Sequence, residues 1–86
     1  SPPFDKSLMD GFAVRAADVA TGRADLRILE RITAGMMPTR PVGPGEATQI
    51  MTGAPLPDEA DAVVKIEDCE IAGGTVRIAA EPVQPG

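Results

Sequence analysis

The chain contains no histidine, tryptophan or tyrosine, one cysteine, and only two aromatic residues in 86, Phe4 and Phe12. Each shortage excludes something. Without histidine, the commonest general base near neutral pH, the usual zinc ligand and every Ser/His/Asp or Cys/His nucleophilic arrangement are gone. A single cysteine, Cys69, excludes an internal disulfide framework. It lies between Asp68 and Glu70, which disfavour a thiolate, so it reads as an inert residue at a strand edge. No segment approaches the ~18 consecutive apolar residues that span a bilayer. The start, Ser1–Ser7, lacks the apolar stretch of a signal peptide, and a cytoplasmic location is expected. The net charge is −5, and the eight Lys and Arg residues are scattered from Lys6 to Arg77. Such a balance argues against a nucleic-acid partner gripped through its phosphates. No glycine-rich phosphate-binding fingerprint and no P-loop pattern is present.

What is present is punctuation. Nine Gly and nine Pro divide the chain into short segments, which suits many short strands joined by turns. Strands are expected at Phe12–Arg15, Leu26–Ile32, Glu46–Thr52 and Ala62–Glu67, the last as the clearest buried strand. In the second of these, Leu26, Ile28, Glu30 and Ile32 fall on one side, although the alternation is imperfect. Ala16–Val19 reads as one helical turn. Cys69–Ala72 and Thr75–Ala79 read as a hairpin closed by Gly73-Gly74. No long crossover helix is available for a parallel α/β sheet. The expected fold is therefore mainly β with minor α, an irregular, curved antiparallel or mixed arrangement of about five to six short strands in one domain, residues 1–86. The Pro-rich beginning and end read as the boundaries of a domain excised from a larger protein.

With histidine absent, the remaining chemistry is that of carboxylates, hydroxyls and loop amides, which suits a hard cation such as Mg²⁺. Two segments could carry it. In Pro3–Phe12, the charged or polar Asp5, Lys6, Ser7 and Asp10 alternate with apolar anchors, and Gly11 would allow a positive-φ turn after Asp10. In Ile50–Pro57, a strand ending in Thr52-Gly53 can offer a hydroxyl and an unobstructed amide to an anion, stiffened by Pro55 and Pro57. Taken singly, each is also explained as an ordinary turn in which the carboxylate or hydroxyl bonds nearby backbone. Asp58-Glu59-Ala60-Asp61 reads as a solvated turn with a capping role, Glu67-Asp68 as a strand-end turn, and Met36, Met37 and Met51 as gap-fillers.

Together the segments take on a further meaning. Pro3–Val14, then Ala34-Gly35, Pro44–Ala47, Ile50–Pro57 and Ala60–Val64, trailed by Glu67-Asp68, resemble in order and spacing the signatures of the MoeA/gephyrin E-domain family of molybdopterin molybdenumtransferases. The resemblance implies the family's small linker-type domain, part of a multidomain enzyme that inserts molybdate into adenylated molybdopterin with the help of Mg²⁺. It also implies a homodimer in which this domain faces the large domain of the second subunit, and a possible molybdopterin adenylyltransferase-type partner. Carried over by position, it marks Asp10 and Thr52 as catalytic and Asp10 as a Mg²⁺ contact. Asp5, Ser7 and Gly53 would lie at the substrate. Lys6 stands where many relatives have Asn, and Leu8 where many have Ala. The alternative is a structural or dimerisation module whose signature loops serve packing.

Overall fold

The computed structural model describes residues 6–81. Six strands form one sheet: β1 (Gly11–Val14), β2 (Arg23–Ile32), β3 (Glu46–Ile50), β4 (Ala62–Lys65), β5 (Cys69–Ala72) and β6 (Thr75–Ala79). Their order across the sheet is β4-β1-β3-β2-β6-β5. All neighbouring pairs are antiparallel except β2 and β3, which run parallel. A parallel pair is normally joined through a helix. Here the 33–45 connection, broken by Gly35, Pro38, Pro41, Gly43, Pro44 and Gly45, crosses over without one. The mainly β, mixed architecture expected from the sequence is the one observed, with single 3-10 turns at Ala16–Val19 and Ile66–Asp68 as its helical content among the described residues.

The sheet curls. Its two edge strands, β4 and β5, are separated in sequence only by the turn Ile66–Asp68. Four Cα-to-Cα steps bring Lys65 and Cys69 within about 15 Å of each other, so the edges must bend round to meet. Curling defines an inside. Phe12, Val14, Leu26, Ala47, Val64, Val76 and Ile78 form the inner core, with Cys69 packed against it, so every strand contributes. The outer face of β1–β3 is covered by the returning 53–61 chain, giving a second cluster of Ala13, Ile32, Ile50 and Ala54 with Leu56, Ala60 and Val63 against it. β1 is thus buried on both faces, and all four of its residues are inaccessible.

Two expectations need correction. Leu26 and Ile28 pack on the inner core, but Ile32 packs on the outer one. The cause is a one-residue bulge: Ile28 pairs with Ala47 while Arg31 pairs with Gln49, so β2 spends an extra residue and its later side chains change faces. The segment 62–67 is also less buried than expected. β4 is an edge strand ending at Lys65, Val64 alone is buried in it, and Ile66 turns outward.

Gly11 is needed for a reason other than the one its place in a turn suggests. It lies in β1 outside the positive-φ residues. A Cβ there would sit 2.0 Å from the Val64 carbonyl oxygen, so only glycine lets β4 close against β1.

Candidate functional site

The register brings four strand termini together at one end of the curled sheet. β1 begins beside the end of β4, with Gly11 opposite Lys65, and beside the end of β3, with Gly11 opposite Ile50. β2, parallel to β3, ends there too, with Ile32 opposite Ile50. Asp10 precedes β1 and Thr52 follows β3, so residues 42 apart in sequence become neighbours.

They are bonded. Asp10 Oδ1 accepts hydrogen bonds from the Thr52 amide at 2.7 Å and from the Thr52 hydroxyl at 3.0 Å. The loops on either side are stitched as well. The Ser7 amide donates to the Ala54 carbonyl at 2.7 Å, the Gly53 amide donates to the Ser7 carbonyl at 2.8 Å, and Lys6 makes a lone bridge to Pro55. The buried Ser7 hydroxyl donates to the Met9 carbonyl and accepts from the Met9 amide, fixing the turn into Asp10. Behind Asp10, its carbonyl accepts the Ile66 amide at 3.0 Å; behind Thr52, the Met51 amide donates to Ile32 at 3.0 Å. Gly53 adopts φ +88°, a conformation that favours glycine, and a Cβ on it would touch Ala34.

The electrostatics follow. The Thr52 amide first, then its hydroxyl, with the Arg31 charge adding to them, hold the Asp10 carboxyl below the ordinary aspartate value. Asp10 is therefore an anion at neutral pH, and its Oδ2 accepts no hydrogen bond among the described residues. The Thr52 amide and hydroxyl, expected to serve an external oxyanion, are engaged by Asp10, and the Gly53 amide by Ser7. Asp5, the remaining candidate, lies outside the described residues.

The other carboxylates act as staples. Glu30 accepts the amides of Thr39 (2.9 Å) and Arg40 (3.2 Å) and the Thr39 hydroxyl (2.8 Å). Asp18 takes the Gly45 amide, Glu46 the Gly43 amide, and Asp61 the Ala16 amide that opens the first 3-10 turn, the capping role expected of the 58–61 run. Burial first and Asp68 second push the Cys69 thiol up to about 11, which disfavours its thiolate. Among the described residues no three carboxylate or cysteine side chains gather closely enough to hold a metal ion. Asp10 thus offers one anionic oxygen and no three-ligand cage among the described residues, so a Mg²⁺ there would need substrate oxygens or ligands from other parts of the protein to complete its shell.

Comparison with known proteins places the arrangement in context. The family model for the MoeA N-terminal region (domain I and II) matches residues 1–86, the whole chain. The chain belongs to the MoeA family. It is 46% identical over 70 residues to a molybdopterin molybdenumtransferase from Bacillus subtilis, which covers 77% of this chain and 16% of that protein. A molybdopterin molybdenumtransferase from Staphylococcus aureus is 47% identical over 70 residues, covering 77% and 17%. A crystal structure of a molybdopterin biosynthesis MoeA protein from Pyrococcus horikoshii OT3 superposes with a TM-score of 0.84 at 32% identity, covering 99% of this chain and 23% of that one. A second such structure from Pyrococcus gives 0.81 at 42% identity, with 99% and 22% covered. The chain spans about a sixth to a quarter of the length of these relatives.

Arg31 and Glu30 were not among the candidates drawn from the sequence. The signal that could have found them is the broken alternation of Leu26–Ile32, which marks the bulge on which both sit.

Proposed function

We propose that this chain is the small domain of a molybdopterin molybdenumtransferase, contributing Asp10 and Thr52 to the cleft where molybdate is inserted into adenylated molybdopterin. The observation that supports it is the Asp10–Thr52 pair at the point where four strand ends converge. Strand ends and their loops are where a rigid scaffold can hold polar groups toward a ligand. Asp10 contributes a fixed negative charge and a free carboxylate oxygen, able to orient a protonated or cationic group of the substrate. Thr52 contributes an amide and a hydroxyl, donors that can pass from Asp10 to an entering oxyanion. Gly53 and Ser7 keep the two loops in register, and Asp5 precedes them in the same segment. Mg²⁺, implied by the family resemblance, would need ligands from elsewhere in the parent protein, and no step here depends on it. The remaining domains, a second subunit completing the cleft, a possible adenylyltransferase-type partner and a cytoplasmic location belong to the same proposal.

A second reading is favoured by one observation. Leu8 is 86% and Met37 72% exposed, and both flank the stitched loops. A domain or subunit interface would account for such residues, with the Asp10–Thr52 bond serving loop shape alone. Asp10→Asn and Thr52→Ala in the full-length protein separate the two readings. The catalytic reading expects molybdenum insertion to fall about tenfold or more with the dimer intact. The interface reading expects normal insertion per dimer and weaker association.

A further inference from the structure

The bulge in β2 does more than bend a strand. Before it, Leu26 and Ile28 face the inner core and Arg27 faces away, paired with Glu46. Had the alternation continued, Arg31 would share the outward side with Arg27. The extra residue reverses this, since Arg31 pairs with Gln49, and Gln49 pairs with the inner-core residue Phe12. Arg31, Gln49, Phe12 and Val64 thus form one row across β2, β3, β1 and β4, on the same face. Asp10 lies just before β1 at the end of that row, its carbonyl taking the Ile66 amide at 3.0 Å and its carboxyl near enough to feel the Arg31 charge. Bulges of this kind re-aim a side chain, and they are over-represented beside active sites.

We propose that Arg31 is an oxyanion-binding residue of the site formed by Asp10 and Thr52, receiving a tetrahedral oxyanion that is either a phosphate group of the adenylated pterin or molybdate itself. The inference rests on the functional reading above and adds to it the group that would hold the substrate's charge. Strands lie about 4.8 Å apart, so Arg31 starts about 10 Å from β1, within reach of a ligand seated at Thr52 for a side chain of its length. The guanidinium is exposed, and it forms no ion pair among the described residues, whereas Arg27 and Arg77 are paired with Glu46 and Asp25. Its planar fork of donors suits phosphate and other oxyanions. Lys65, opposite Gly11, is next to Val64 in the strand and therefore points to the other face. Arg15 and Arg23 lie at the far ends of β1 and β2. Of the other two cations, Lys6 belongs to the first loop, bridged to Pro55, and Arg40 to the 33–45 connection, so Arg31 is the strand cation whose register puts it in the row of Phe12.

The test uses the full-length protein with steady-state insertion kinetics, Arg31→Ala and Arg31→Lys, and inorganic phosphate as a competing probe. Arg31→Ala is expected to raise one KM about tenfold, with kcat changed less than about twofold and the melting temperature unchanged. If the oxyanion is the phosphate, the KM for adenylated molybdopterin rises and inhibition by inorganic phosphate weakens in parallel; if it is molybdate, the KM for molybdate rises. Arg31→Lys should recover part of the loss. Unchanged KM values for both substrates overturn the proposal, as does a fall in activity that tracks a fall in melting temperature. A second readout does not depend on turnover: titrating phosphate or molybdate into the wild-type protein should shift the Arg31 Nε–H resonance, and its failure to move with either also counts against the proposal. If Asp10→Asn and Thr52→Ala lose activity while Arg31→Ala does not, only this inference fails. If neither of those variants loses activity, the functional reading itself fails.

Discussion

At the residue scale, several positions have unambiguous physical consequences. Thr48 lies in the middle of β3, fully buried, and its hydroxyl has no hydrogen-bond partner among the described residues. Burying an unpaired hydroxyl costs free energy that a methyl group of the same shape does not. Thr48→Val should therefore stabilise the fold by about 1 kcal/mol, read as a raised denaturant midpoint with unchanged slope. Gly11→Ala should do the reverse. Its Cβ would be driven against backbone that cannot retreat without parting β1 from β4, a loss of about 3 kcal/mol in the same measurement. Asp10 and Thr52 could be singled out from their motifs, but their bond could not. Nothing local in either segment says that a carboxylate at position 10 meets a hydroxyl at position 52. That meeting depends on β1 and β3 pairing antiparallel, a tertiary fact.

At the scale of elements, most strands were legible because the chain breaks its apolar runs with glycine and proline. The Gly73-Gly74 hairpin appears as expected, with Cys69–Ala72 pairing onto Thr75–Ala79. What escaped was the use of faces. An apolar run such as Ala62–Ile66 does not reveal whether its strand is central or at an edge, since that depends on which neighbours the topology supplies. In β2 the imperfect alternation was visible, but only the partner strand shows that it is a bulge and which residues change sides. The bulge gives a prediction of its own. Deleting Leu29 would remove the extra residue, and strict alternation from Ile28 then places Glu30 opposite Thr48, Arg31 opposite Gln49 and Ile32 opposite Ile50, still in the outer cluster. The deletion should therefore lower the melting temperature less than Ile32→Ala, which empties that cluster at a cost of about 3 kcal/mol. If the deletion costs as much as Ile32→Ala, the faces are not set by the bulge.

At the scale of the whole molecule, the lack of long helices among the described residues leaves many loop amides without regular partners, and the acidic residues supply them. This makes the fold depend on its carboxylates being ionised. Asp10 is held below its ordinary value of 3.8 by Thr52, and Glu46 below 4.5 by the Gly43 amide and then Arg27. Partial desolvation pushes the Glu30 carboxyl up, but the Thr39 amide and hydroxyl and the Arg40 amide outweigh it and leave it below 4.5. Lowered folded values mean that the unfolded chain binds more protons as pH falls. The stabilisation is complete above the unfolded values and is lost as pH drops through the folded ones. The denaturant midpoint should accordingly stay level from neutral pH down to about 5 and decline below about 4. A decline beginning near neutrality would contradict this account.

The same curled sheet that demands these staples brings Asp10 and Thr52 together, and that convergence is the centre of the account. The most direct test is molybdenum insertion by full-length Asp10→Asn and Thr52→Ala variants, measured alongside oligomeric state and melting temperature. A fall in insertion of about tenfold or more, with both little changed, is the predicted result. Normal insertion by both variants would contradict it.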